Sequence, residues 1–133
     1  MNLVAQYTPS ISGEVLCPGD KSISQRAVII GSLLNEDIEI SGFLNGEDPI
    51  STANALNAIG SSIKINGTSV SIKKRDIPFK DPSVNVDLGN SGTGMRLMMG
   101  LISSLGIKAT LVGDESLTKR PMLRVANPLN DMG

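Results

Sequence analysis

Histidine is absent from the 133 residues. That gap removes imidazole general bases, His-dependent nucleophile triads and His metal sites from this chain. Cysteine is nearly as scarce: Cys17 alone forms neither an internal disulfide nor a CxxC metal or redox pair. There is no tryptophan, and the aromatics amount to Tyr7, Phe43 and Phe79, so no platform exists on which nucleic-acid bases would stack. Neither sign of charge is in excess. The formal net charge of −1 argues against nucleic acid as a partner, since phosphate-backbone binding rests on many cations. Apolar runs reach only about six residues, around 97–102, against the ~20 needed to cross a bilayer. The N-terminal residues Asn2, Leu3, Val4, Ala5 and Gln6 carry no early positive charge and no long apolar stretch, so neither a secretory signal nor a membrane partner is expected, and a cytoplasmic location is. What is present, 40% hydrophobic and 19% charged residues, suits one globular domain that would bury roughly two-thirds of its unfolded surface. Any chemistry must rest on Lys, Arg, Ser, Thr, Asn, carboxylates and backbone amides.

The clearest local signal spans residues 62–73. Ile63, Ile65, Val70 and Ile72 alternate with polar residues on either side of Asn66-Gly67, which predicts a hairpin with a type I′ turn at that pair and one buried face. Before it, Asp48-Pro49 reads as N-cap and first turn and Gly60 as a C-terminal stop. Ile50, Ala53, Leu56 and Ile59 then share one helical face. Further upstream, Ile23, Ala27, Ile30 and Leu34 follow the spacing of an amphipathic helix introduced by Pro18-Gly19-Asp20-Lys21-Ser22. A strand is expected over 37–44.

That order then begins again. Val84, Val86 and Leu88 predict a strand, Leu97, Met98, Leu101 and Leu105 a helix, Ile107, Ala109 and Leu111 a strand, and 122–132 a helix. Superposing the halves puts Arg26 on Arg96, and Ala53, Asn54, Leu56, Asn57 and Gly60 on Ala126, Asn127, Leu129, Asn130 and Gly133. The shared element order points to an internal repeat. In the first copy a hairpin follows Gly60, whereas the second copy stops at Gly133. The expectation is therefore a piece of a longer chain, or one completed by a partner, with a sheet edge left open.

Two glycine-containing loops open helices at equivalent places. Gly19-Asp20-Lys21-Ser22 supplies a lysine and a hydroxyl, with Arg26 one turn in. Gly89-Asn90-Ser91-Gly92-Thr93-Gly94 supplies small residues and free amides, with Arg96 at the matching position, and Lys119-Arg120-Pro121 precedes the last helix. Unpaired N–H groups and the positive end of a helix dipole suit an anion. On spacing alone, a competing reading stands beside this one: Ser22 or Ser24 as a helix cap, Lys21 as a solvated residue, and Arg26 and Arg96 as structural ion-pair partners. Met95, Met98 and Met99 read as core filler. A nucleotide-binding P-loop is disfavoured, because Asp20 separates Gly19 from Lys21 and the second loop has no Lys.

The runs Pro18–Arg26, Leu88–Arg96 and Gly113–Met122, in this order and spacing, resemble the signatures of the 5-enolpyruvylshikimate-3-phosphate synthase (3-phosphoshikimate 1-carboxyvinyltransferase) family. UDP-N-acetylglucosamine enolpyruvyl transferase shares the architecture but not the Gly-Asp-Lys-Ser-Ile-Ser entrance. The resemblance implies an α/β (α+β) fold of repeated βαβαββ units, the inside-out barrel of enolpyruvyl transferases, here truncated. Residues 1–15 would form a strand pairing with a C-terminal domain, 16–75 the first unit and 76–133 an incomplete second.

The implied reaction moves an enolpyruvyl group from phosphoenolpyruvate to the 5-hydroxyl of shikimate 3-phosphate, with release of phosphate, in the shikimate pathway. No cofactor and no metal are implied; the partners are small phosphorylated substrates. By resemblance, Lys21 is catalytic and touches both substrates, Ser22 and Arg26 hold shikimate 3-phosphate, and Gly92 and Arg120 bind phosphoenolpyruvate with Asn90 and Thr93 shaping that pocket. Arg96 is read as structural. Gln25 stands where many members have His, and Leu97 where many have Pro. Glyphosate competes at the phosphoenolpyruvate site in this family, and a side chain at Gly92 would crowd it. The proton-transferring carboxylates and further phosphate-binding cations of the family fall outside these residues, so the active site needs the C-terminal portion. The 133 residues alone are expected to be an inactive, phosphate-binding module.

Overall fold

Asp20 sets the first helix. Its carboxylate accepts the Ile23 N–H at 2.8 Å as the N-cap of α1, Lys21–Leu33. The computed structural model describes residues 2–133 and contains no helix or strand over 2–20. Leu3, Val4, Tyr7, Ile11, Val15 and Leu16 of that segment are exposed, and the strand expected there has no ladder partner among the described residues.

After α1 come β1 (Ile38–Ser41), α2 (Glu47–Ala58), β2 (Ile63–Asn66) and β3 (Ser69–Ile72). The three strands form an antiparallel sheet in the order β1-β3-β2, with Ile38 and Ile63 both opposite Ile72 and Ile40 and Ile65 both opposite Val70. One face of the sheet therefore carries only aliphatic side chains, and it is this face that joins the core. The second half contains β4 (Val86–Asp87), α3 (Gly92–Leu105), β5 (Leu111–Val112), α4 (Glu115–Thr118) and α5 (Leu123–Met132). β4 and β5 pair in parallel, joined by α3 as the crossover. A continuous core links the halves, from Val28, Phe43, Leu56 and Ile59 to Val86, Leu88, Met95, Met98 and Leu117.

Three expectations need correction. The hairpin exists, but Asn66 pairs with Ser69, so the two loop residues are Gly67 and Thr68. Only Gly67 has positive φ, at +59°, which is the pattern of a type II′ turn. Helix α2 starts earlier than Asp48: Gly46 is its N-cap. Asp48 and Pro49 lie within the first turn, where proline's missing N–H would have no partner anyway. The largest departure concerns α1. Its apolar stripe faces out, with Ile23 69% and Ile30 57% exposed, while Ser24, Gln25, Val28, Gly31 and Ser32 are buried. The reason is close approach. A Cβ on Gly31 would lie 2.8 Å from Ile72 Cδ1, so only a face of small side chains lets α1 sit this near the sheet. Finally, the mixed α/β class holds, with small sheets of three and two strands.

Candidate active site

The N-terminal ends of α1, α2 and α3 are tied together by one buried side chain. Gln25, fully buried on α1, donates from Nε2 to Thr52 Oγ1 on α2 at 2.9 Å and to Ser91 Oγ at the head of α3 at 2.8 Å, with a longer approach of 3.3 Å to the Asp48 carbonyl. Thr52 Oγ1 donates to that same carbonyl at 3.0 Å. Ser91 Oγ accepts the Gly94 N–H at 3.0 Å and so caps α3. Ser24, beside Gln25, accepts the Leu44 N–H through Oγ at 2.9 Å. It is thus Asp20 and Ser91, not Ser22 or Ser24, that cap the two helices.

Lys21 stands at the first position of α1 and pairs with Asp48 on α2, Nζ to Oδ2 2.9 Å, with half of the lysine side chain still exposed. Ser22 is half-buried in the same turn, and Arg26 is exposed and donates from Nη1 to the Ser22 carbonyl at 3.1 Å. The second half repeats this detail: Arg96 Nη1 donates to the Gly92 carbonyl at 3.0 Å, and its Nη2 reaches the Pro121 carbonyl at 3.4 Å. Each arginine is four residues beyond its acceptor, at positions the repeat aligns.

Around Gly92 two guanidinium groups converge. A Cβ built there would lie 2.8 Å from Arg120 Nη1 and 3.1 Å from Arg96 Nη1. Asn90 Oδ1 accepts from Arg120 Nη2 at 2.5 Å, and Ser116 Oγ accepts from the same atom at 3.3 Å. Asn90 Nδ2 donates to Asp114 Oδ2 at 2.6 Å. Thr93 is half-buried in the first turn of α3. Among the described residues the N–H groups of Ser22, Gly92 and Thr93 have no protein acceptor, as expected for the first turn of a helix. Free amides beside fixed guanidinium groups are the donor set an oxyanion or phosphate requires.

The structure thus brings Gly92, Asn90 and Arg120 together with Thr93 alongside, and joins them through Gln25 and Ser91 to the turn that bears Lys21, Ser22 and Arg26. Two participants were not singled out from sequence: Asp48, partner of Lys21, and Asp114, partner of Asn90. The second had a signal, since Asp114 opens the short helix α4 by accepting the Leu117 N–H at 2.7 Å, the usual work of an N-cap aspartate. Its carboxyl is held below the ordinary range by the Asn90 hydrogen bond first, then by the Leu117 amide, with the nearby Arg120 charge adding to both. A cavity of about 670 Å³ lies elsewhere, lined by Met99, Ile102, Leu111, Ala126 and Leu129, and none of the candidate residues borders it. No group of His, Cys, Asp and Glu among the described residues is placed to hold a metal ion.

Three comparisons bear on this geometry. The family model described as EPSP synthase (3-phosphoshikimate 1-carboxyvinyltransferase) matches residues 6–133. A 3-phosphoshikimate 1-carboxyvinyltransferase of Ruthia magnifica subsp. Calyptogena magnifica is 48% identical over 131 residues, covering 98% of this chain and 30% of that protein. One from Petrotoga mobilis is 47% identical over 135 residues, covering 100% and 31%. Among solved structures, an EPSP synthase from Acinetobacter baumannii superposes with a TM-score of 0.84 at 39% identity, over 91% of this chain and 28% of that one. The chain therefore spans about 30% of the length of the curated relatives it matches.

Proposed function

Because the chain belongs to the EPSP synthase (3-phosphoshikimate 1-carboxyvinyltransferase) family, we propose that it contributes one wall of a site at which phosphoenolpyruvate meets shikimate 3-phosphate. The observation that carries this is the convergence of Arg120 and Arg96 on the Gly92 amide turn, linked through Gln25 to the turn bearing Lys21. In the reaction, the 5-hydroxyl of shikimate 3-phosphate gives up its proton as its oxygen adds to C2 of phosphoenolpyruvate, and C3 takes a proton. Loss of a C3 proton and of phosphate from the tetrahedral adduct then restores the double bond. Both substrates are polyanions, so fixed cations and amides supply the binding and stabilise charge as it develops.

In this reading Gly92, Thr93 and Arg120 take the phosphoenolpyruvate end, with Asn90 positioning the arginine. Ser22 and Arg26 take shikimate 3-phosphate. Lys21 lies between them, its charge held near the substrates by Asp48 without being fully shielded. The two halves are copies of one βαβαββ unit, a reading supported by the matched Arg26–Ser22 and Arg96–Gly92 bonds. The strand expected over 1–15, of which Met1 lies outside the described residues, pairs with the remainder of the barrel, and the cytoplasm is the setting. This chain alone binds and does not turn over, because the remaining 70% of the relatives' length supplies the other wall.

Titration of isotope-labelled chain with each substrate tests this. Shikimate 3-phosphate should shift amide resonances of residues 21–26, and phosphoenolpyruvate those of 89–96 and 120. UDP-N-acetylglucosamine should shift neither group. Shifts confined to other surfaces, or none from either phosphorylated substrate, refute the assignment.

A further inference from the structure

We propose that Asp114 is a positioning residue for the phosphoenolpyruvate end of the site, acting through Asn90 to hold the Arg120 guanidinium over Gly92. This rests on the functional reading above and extends it to a residue that touches no substrate.

The three side chains form a relay whose direction is forced. A carboxylate only accepts, so Asp114 Oδ2 turns the Asn90 amide until Nδ2 points at it, 2.6 Å away. The opposite atom, Oδ1, then has to face Arg120, where it accepts from Nη2. The loops bearing the relay are themselves in register, because the Asp114 N–H donates to the Gly89 carbonyl at 2.9 Å. Ser116 Oγ takes the same edge of the guanidinium. Arg120 is thereby gripped at Nη2, and Nη1 is left against Gly92, beside amides that lack acceptors.

The interposed asparagine matters. Asp114 and Arg120 form no ion pair among the described residues. A direct carboxylate would occupy the guanidinium fork and cancel the charge that a phosphate needs. A neutral amide passes on orientation and leaves the charge available. The depressed carboxyl of Asp114 keeps it ionised at neutral pH, so the amide has one orientation only.

Asp114→Asn isolates this role. Asparagine is as good an N-cap as aspartate, so its Oδ1 retains the Leu117 N–H and α4 is preserved. Its Nδ2 then faces Asn90 Nδ2, donor against donor. The Asn90 amide turns over and presents Nδ2 to Arg120, which it repels. Titrations of this chain should show phosphoenolpyruvate affinity falling about tenfold, as for loss of one charge-assisted hydrogen bond. Shikimate 3-phosphate affinity should stay within about twofold and the thermal midpoint should not move. Asn90→Ala should weaken phosphoenolpyruvate equally, and adding Asp114→Asn to it should cost nothing more, because the relay is already broken.

Unchanged phosphoenolpyruvate affinity in Asp114→Asn overturns the proposal while leaving the functional reading intact. Parallel loss of both affinities with a lowered midpoint makes Asp114 merely structural and also overturns it. Additive losses in the double variant show that Asp114 does not act through Asn90. If the wild-type chain binds neither substrate, the functional reading itself falls, and this proposal with it.

Discussion

Replacing Gly92 and, separately, Gly94 by alanine places a methyl group at two points of one helical turn and should give opposite phenotypes. At Gly94 the new Cβ would lie 2.6 Å from Ser91 Oγ, 2.7 Å from Thr52 Oγ1 and 3.2 Å from Gln25 Nε2. All three belong to a buried hydrogen-bonded network with no slack. With two contacts under 3 Å to buried hydroxyls, the cost should lie at the upper end of the ~1–3 kcal/mol typical of overpacking, and the better helix propensity of alanine returns at most about 1 kcal/mol of it. A net loss of about 1–2 kcal/mol corresponds to a fall in thermal midpoint of roughly 3–10 °C for a chain of this size. At Gly92 the crowded atoms are guanidinium ends, Arg120 Nη1 at 2.8 Å and Arg96 Nη1 at 3.1 Å. Arg120 needs to retreat only a few tenths of an ångström, which its flexible chain permits. Gly92 is buried, but the atoms that must give way are flexible side-chain ends and the better helix propensity of alanine offsets part of the cost, so stability should change by less than ~1 kcal/mol. On the proposed reading Arg120 holds phosphoenolpyruvate, however, and its displacement should lower that affinity by about tenfold or more. Thermal unfolding and substrate titration of both variants decide the matter. Glyphosate, expected at the same place, should compete in the wild type and much less in Gly92→Ala. A Gly94→Ala chain as stable as wild type, or a Gly92→Ala chain that binds phosphoenolpyruvate normally, refutes the reasoning.

Gln25→Met preserves volume and deletes the donor shared by Thr52 and Ser91. It should destabilise by about 1–3 kcal/mol in urea titration, towards the lower figure because Gln25 Oε1 has no partner to lose; no change would show that the network is not cohesive. Asp37→Asn tests the exposed pair in which Lys73 Nζ donates to Asp37 Oδ2 at 2.8 Å. The Lys73 hydrogen bond holds the Asp37 carboxyl below 3.8, so its stabilisation is present above that pH and lost as pH falls through the lower folded value. The same bond raises Lys73 above 10.5, so that contribution persists below 10.5 and fades as pH rises past it. The urea midpoints of wild type and variant should differ slightly at neutral pH and converge as pH falls through the lowered folded value of Asp37; divergence on acidification would contradict the sign.

Much of the architecture was readable because alternation and caps are local. Ile63, Ile65, Val70 and Ile72 marked their hairpin directly. The turn slipped by one residue because Asn66-Gly67 favours a type I′ loop, whereas the β2–β3 register sets Ile63 opposite Ile72 and Ile65 opposite Val70 and leaves Gly67-Thr68 in the loop. Helix α1 was placed correctly and turned the wrong way. Periodicity assumes that the most apolar face is the inward one, yet here Gly31 and Ser24 determine how near the helix comes to its neighbours. Helix α4 is too short for periodicity to register, and its N-cap Asp114 passed unread. The residues near Gly92 were legible as a motif. Their mutual geometry was not, because Asn90, Asp114 and Arg120 lie up to 30 residues apart and only the docking of the β5–α4 turn against the head of α3 brings them into contact.

The bond from Gln25 to Ser91 spans 66 residues, and this has a kinetic side. Closing so long a segment is entropically slow, so the head of α3 acquires its full set of restraints only after the N-terminal third has docked. The arrangement around Gly92 should therefore mature late during refolding, with the Gly94 amide gaining protection from hydrogen exchange in step with α1, not ahead of it.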